Sequence, residues 1–283
     1  MAGDFLKRRI SRRAVSFVTA LLCCIGIATA GDLSRFARME GTLSIAGGTA
    51  HIPIMNDAAK AIMTAYPKIR IVVEGGGSGV GVQKAGTGLV DIGNTGRGLS
   101  DKEIRKYGLV SFPFALDGVA VVVHPSNPVR ALTAKQVQQI FAGSIRNWKN
   151  LGGPDAAIHL FTRDEASGTR EVFWEKLLHK GAIARGANVV ASNGAMKVAV
   201  AQDKAAIGYV SIGHVDRTVQ AVVLDNVAAS QTNALNGTYP VVRKLYMNTR
   251  GDPVGLVKTF IEYIRSAEGA KIIQKHGYLP LSK

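Results

Sequence analysis

Beyond residue 24 the chain contains no cysteine: both of its thiols, Cys23 and Cys24, lie in the N-terminal apolar run LLCCIGIATA. Disulfides, thiolate metal sites and cysteine redox chemistry are therefore excluded from the body of the protein. Aromatic residues make up only 6% of the sequence and the basic residues are scattered, so nothing marks a nucleic-acid groove, which interleaves aromatics with clustered cations. Enzyme signatures are missing in turn. There is no Gly-x-Ser-x-Gly elbow and no Ser-x-x-Lys, and the glycine-rich segment 75–81 matches neither a dinucleotide fingerprint nor a P-loop. The six histidines are isolated, the nearest two being His159 and His179, which leaves no His-x-x-x-His metal spacing. No repeat, low-complexity tract or flexible linker interrupts the chain. Neither a cofactor nor a metal is called for.

What is present is a chain of 283 residues, 47% of them hydrophobic, enough for one large or two medium domains with real cores. Its first thirty residues have the layout of a secretory signal: a basic start with Lys7, Arg8, Arg9, Arg12 and Arg13, an apolar run from Ala14 to Ile27, and Ala28-Thr29-Ala30 as a small-x-small cleavage site. Export with cleavage after Ala30 is expected. Without that segment, 30 basic and 19 acidic residues remain, a net charge of +11. Such an excess favours anionic partners through its long-range field without naming one.

From about Gly41, short β-branched runs alternate with helical patterns, the mark of an α/β architecture with parallel strands. Strands are expected at 42–46, 69–74, 90–93, 119–124, 158–162, 206–212, 219–224 and 241–249. Helices are expected at 52–66, 100–108, 132–143, 193–203, 253–266 and 268–276. Four of the loops that follow strands are small and rich in hydroxyls: Gly47-Gly48-Thr49-Ala50, Gly75-Gly76-Gly77-Ser78-Gly79, Asn94-Thr95-Gly96-Arg97 and Glu165-Ala166-Ser167-Gly168-Thr169. Open α/β sheets bind ligands at the carboxyl ends of their strands, where all four loops fall. Glycine lets backbone N–H groups come close to a guest, and hydroxyls add donors. The stretch FTRDEASGTREVF puts Arg163 just ahead of Ser167-Gly168-Thr169 and a helix. Taken alone, Ser167 suits a plain N-cap and an anion seat equally well, because the first N–H groups of a helix lack partners in either case. Four such loops together favour a cleft for a small oxyanion.

An ordered set of segments resembles the phosphate-binding proteins of bacterial phosphate ABC transporters, within the type II periplasmic binding proteins. They include VVEGGGSGVGVQKAGTGLVDIGNTGRGLSDKE, LDGVAVVVHPSNPV, LTAKQVQQIFAGSIRNWKNLGGPD, FTRDEASGTREVF and LYMNTRGDPVGLVKTFIEYIRSAEGAKIIQKHGYLPL, and the likeness runs from about Thr42 to Leu281. The resemblance implies a two-lobed fold joined by two crossover hinge strands, with lobe one at 31–116 plus 220–283 and lobe two at 117–219. It implies a monomer that binds inorganic phosphate and delivers it to an ABC permease and ATPase complex at the inner membrane, with no enzymatic activity and no nucleic-acid partner. The site residues it implies are Thr49 and the Ala50 backbone in the first loop, Ser78 in the second, Thr95 and Gly96 in the third, and Arg163, Ser167, Gly168 and Thr169 in the second lobe.

Two positions depart from the family pattern. Gly48 stands where many members have Ser, and Gly96 where long members have Asp and shorter ones often Ser; the Asp carboxylate accepts a hydrogen bond from protonated phosphate that sulfate cannot offer. Asp117, beside Gly118 at the expected crossover, is the candidate replacement. Glu165 is expected to hold Arg163 by a salt bridge without touching the ligand. Another tetrahedral oxyanion, or an exported phosphoester hydrolase, remains as an alternative reading.

Overall fold

The computed structural model describes residues 32–281, so the expected signal segment lies outside the described residues. After a 3-10 turn at Asp32–Phe36 the first lobe is built from strand–helix units: β1 (Gly41–Gly47), α1 (Ile52–Ala65), β2 (Ile69–Gly76), α2 (Ser78–Gly86), β3 (Ile92–Thr95) and α3 (Asp101–Tyr107). α1 shows how this layer forms: Ile54, Met55, Ala58, Ala59 and Ile62 fall on one face and are buried, with Pro53 in the first turn, where its missing N–H costs nothing. α3 starts with a capping box, Ser100 accepting from the Glu103 N–H while the Glu103 carboxylate accepts from the Ser100 N–H.

β4 (Leu109–Val123) then carries the chain out of the first lobe. Its first ten residues pair antiparallel with the later strand at residues 242–250, and Val119–Val123 pair with the strand at 206–211. The second lobe contains β5 (Ala131–Leu132), α4 (Ala134–Phe141), β6 (His159–Arg163), α5 (Gly168–Lys176), β7 (Asn188–Val190), α6 (Asn193–Gln202), β8 (Ala206–Ser211), β9 (Gln220–Ala221), β10 (Val223–Leu224) and α7 (Gln231–Leu235). β11 (Val242–Arg250) returns to the first lobe, which α8 (Gly255–Ile264), α9 (Ala267–Lys275) and β12 (Leu279–Pro280) complete. The main sheet runs β2-β1-β3-β11-β4-β8-β6-β7, so β4 and β11 are the two crossing strands. Among the described residues no helix is long and apolar enough to cross a membrane.

Each lobe has its own core. Leu43, Ile45, Ile54, Ile92, Leu245 and Phe260 belong to the first, and Val121, Phe141, Trp148, Phe173 and Tyr209 to the second. Val222, Leu224, Tyr239 and Val241 pack with the second core. These four lie within residues 220–241, which the resemblance places in lobe one, and β9 in the same stretch pairs with Val122 and Val123 of β4.

The Arg97–Glu103 pair gives α3 an acid sensitivity. Chiefly the Arg97 guanidinium, at 2.7 and 2.9 Å, and then the Ser100 backbone pull the Glu103 carboxyl down from 4.5 to about 2. A carboxyl lowered by folding stabilises the native state at pH values above its unfolded pKa, and that contribution disappears as the pH falls through the folded one. The thermal midpoint should accordingly fall between pH 4.5 and 2, and a Glu103→Gln variant should show a flatter melting profile in that window.

Candidate functional site

The loops after β1, β2 and β3 meet the β6–α5 loop of the second lobe around a cavity with a free volume of only ≈ 10 Å³. That is far below the roughly 300–1,000 Å³ of sites for drug-sized ligands, so it suits a guest of few heavy atoms. The first lobe lines it with residues 48–51, Gly77, Ser78, Gly96 and Arg243, and the second with Arg163 and residues 167–169. No carboxylate is among them.

The hydroxyls of the lining are all turned into donors by their surroundings. Thr49 Oγ1 accepts from the backbone N–H and the side-chain amide of Asn193, at 3.2 and 3.0 Å. Ser78 Oγ accepts from the Gly96 N–H at 2.9 Å, Ser167 Oγ from the Arg170 N–H at 3.1 Å, and Thr169 Oγ1 from Asn193 Nδ2 at 3.4 Å. With its oxygen already accepting, each hydroxyl has its own proton left to give. Ser167 is thus an N-cap and a cavity donor at once. α5 starts at the cavity, where the N–H groups of Gly168 and Thr169 have no partner within the helix and the helix dipole favours an anion.

Two buried arginines add charge. Arg163 is 2% exposed; its Nε and Nη2 donate to the carbonyls of Val190 and Ala191, both at 3.0 Å, and Nη1 has no partner among the described residues. Val190 is the last residue of β7 and Ala191 follows it; the strand's parallel register sets Val190 beside Arg163. The expected Glu165 salt bridge is therefore corrected: Glu165 is exposed, and carbonyls orient the guanidinium. Arg243, the second cation, was missed from sequence. It sits directly opposite Asp117 on the two crossing strands, Nε donating to Asp117 Oδ2 at 2.8 Å and Nη1 to the Gly96 carbonyl at 3.3 Å. An arginine within VVRKLYMNT gives no local sign of a partner 126 residues away.

Of the ten residues expected at the site, the fold brings eight together around the cavity: Thr49, Ala50, Ser78, Gly96, Arg163, Ser167, Gly168 and Thr169. Thr95 and Asp117 stand outside it. Thr95 Oγ1 donates to the Arg97 carbonyl at 2.8 Å and accepts from Asn248 Nδ2 at 3.1 Å, which shapes the third loop. Asp117 is buried behind Arg243, with Oδ1 accepting from Ser211 Oγ at 2.8 Å. Burial pushes its carboxyl up, while Arg243, the Ser211 hydroxyl and the Ile212 N–H pull the other way. Its partners are all donors, so it orients Arg243 and is not placed to meet a ligand. Arg97, next to Gly96, also lies off the cavity, paired with Glu103 and Glu171.

Gly48 and Gly96 both stand where an added side chain would meet a neighbour. A Cβ on Gly96 would lie 2.5 Å from Arg243 Nη1, and one on Gly48 would lie 2.6 Å from His51 Nδ1. The Arg243 guanidinium fills the space an acid at position 96 would need, and the His51 ring fills that of a residue at 48. His51 is fully buried against Phe114; burial first, then the Arg243 charge, lowers its pKa to about 3, so it stays neutral.

The lobes touch closely along this seam. Gly79 N–H donates to the Ala166 carbonyl at 2.9 Å, and a Cβ on Gly168 would fall inside the Ser78 side chain. Gly168→Ala should thus obstruct closure and weaken anion binding at least tenfold, roughly the 1–3 kcal/mol of an overpacked contact. Differential scanning fluorimetry without anion should show little change, because the clash is absent when the lobes part.

Comparison with known proteins agrees with this architecture. Residues 37–268 match the family model described as a PBP superfamily domain. The phosphate-binding protein PstS of Bacillus subtilis is 34% identical over 248 residues, 87% of this chain and 82% of that protein. PstS of Pseudomonas aeruginosa is 28% identical over 95% of each chain. A Clostridium perfringens structure assigned as a phosphate ABC transporter substrate-binding protein, solved with bound phosphate, superposes with a TM-score of 0.80 at 34% identity, covering 86% of this chain and all of that one. A Vibrio cholerae ABC-type phosphate transport receptor gives 0.68 at 34% identity, over 84% and 99%. The chain belongs to the PBP superfamily and, within it, to the family of phosphate-binding proteins that these relatives represent.

Proposed function

We propose that this chain captures inorganic phosphate between its lobes and presents it to the permease and ATPase of an ABC transporter, as a binding protein and not an enzyme. The carrying observation is a small cavity rich in donors: four hydroxyls, the start of α5 and two buried arginines, with no lining carboxylate. Fixed donors in a water-excluded space hold an oxyanion by charge-assisted bonds that need little rearrangement. Thr49, Ala50, Ser78, Gly96, Arg163, Ser167, Gly168, Thr169 and Arg243 are the proposed contacts, and Asp117 acts through Arg243. Lobe one is assigned to 31–116 plus 242–283 and lobe two to 117–241, on the two cores. Export with cleavage after Ala30, and action as a monomer in the periplasm, belong to the same proposal.

A second reading, a different tetrahedral oxyanion such as sulfate, is favoured by one feature: no carboxylate lines the cavity to accept from a protonated ligand. Equilibrium dialysis with labelled phosphate decides between them. Saturable binding that excess sulfate leaves intact supports phosphate; equal competition by sulfate favours the second reading, and no saturable binding sinks both.

A further inference from the structure

Glu171 lies in the first turn of α5, two residues beyond Thr169, and its carboxylate reaches back to the other lobe, with Oε2 2.6 Å from Arg97 Nε. Arg97 does not depend on this partner. Its Nη1 and Nη2 donate to the two oxygens of Glu103 at 2.9 and 2.7 Å, and Nη1 also donates to the Gly98 carbonyl at 2.9 Å. Glu103 is itself fixed by the Ser100 N–H and hydroxyl. The guanidinium is thus locked to the first lobe with both Nη groups satisfied, and Glu171 forms an ion pair at its Nε without an aligned hydrogen bond. Such a pre-set arginine loses little freedom on gaining another carboxylate. Both side chains are partly shielded, 15% exposed for Arg97 and 39% for Glu171. The contact exists only while the lobes are together, whereas the Arg97–Glu103 pair survives their parting.

We propose that Glu171 is a closure latch: it touches no ligand, and by pairing with the pre-set Arg97 across the mouth of the cleft it prolongs the closed state and so slows release of the bound anion. The proposal rests on the reading of the cavity as an anion site. A purely structural role is disfavoured by placement, since each lobe is complete without the pair. Glu171 also brings a negative charge close to the anion, a cost that the Arg97 charge offsets.

Stopped-flow measurement of phosphate release from the 31–283 chain, wild type against Glu171→Gln, tests this, with Glu175→Gln on the same helix as control. Release should be roughly tenfold faster in Glu171→Gln, as when one member of a shielded charge pair is removed, with association unchanged or faster. Raising salt should speed wild-type release and leave that of Glu171→Gln almost unaffected. Small-angle scattering without added anion should show a larger radius of gyration for Glu171→Gln than for wild type, a readout independent of phosphate. Equal release rates together with equal radii overturn the latch. A wild type that binds no phosphate refutes the anion assignment instead, and the scattering comparison then judges the latch alone.

Discussion

Arg163→Ala should lower phosphate affinity by a hundredfold or more, the largest binding effect expected of any single change in the cleft. A hydrogen bond to a charged group contributes about 1.5–3 kcal/mol, and truncating one side of a desolvated charge pair costs about 2–5 kcal/mol. Arg163 falls under both headings: it is 2% exposed, and Nη1 is its one nitrogen left uncommitted by the Val190 and Ala191 carbonyls. Arg163→Lys should recover little, because one ammonium cannot serve two carbonyls and a guest from the same place. Without anion the variant should melt somewhat lower than wild type, because the Val190 and Ala191 carbonyls lose their donors. Burial and Arg243 disfavour the Arg163 cation, while Asp164 and Tyr209 favour it. Titration calorimetry and melting curves with and without phosphate check both halves; a full phosphate-induced rise in the midpoint of Arg163→Ala would contradict the assignment.

Asp117→Asn should act on stability instead. Removing one partner of a buried ion pair costs about 3–5 kcal/mol, because the other charge is left uncompensated. Here that charge is Arg243, whose side chain is 2% exposed at 2.8 Å from Asp117 Oδ2. At about 2–4 °C per kcal/mol for a chain of this size, the ligand-free midpoint should drop by roughly 6–20 °C. Phosphate should restore part of the loss, since the anion supplies Arg243 with a counter-charge. The ratio of phosphate to sulfate affinity should stay at the wild-type value, as Asp117 meets no ligand. A shift in that ratio would return Asp117 to the role of direct acceptor.

The sequence revealed the first lobe and most of the cavity, because their signals are local. β1, α1, β2, α3 and the Ser167 cap each announce themselves through apolar spacing, a capping residue or a glycine turn. What it hid depends on pairing across long separations. The first half of β4 contains Pro113 and Asp117-Gly118, which look like turn punctuation; opposite them β11 shifts register between Leu245 and Tyr246, beside Pro113, and a strand forms. Arg243 and Asp117 are strand neighbours through that same pairing, so neither the second cation nor the indirect role of the acid was visible along the chain. The Glu165 expectation failed for a related reason. Sequence proximity suggested an acid for Arg163, while a strand arriving 27 residues later provided carbonyls.

The Thr49–Asn193 contact has a kinetic meaning. Thr49 belongs to one lobe and Asn193 to the other, and only their meeting commits the Thr49 oxygen as an acceptor and leaves its proton for the cavity. While the lobes are apart, that hydroxyl can exchange either role with solvent and does not discriminate between visitors. Many ions can therefore enter, but the decision to retain one falls in the last ångströms of approach. Selectivity should then show itself in how long each ion stays rather than in how fast it arrives.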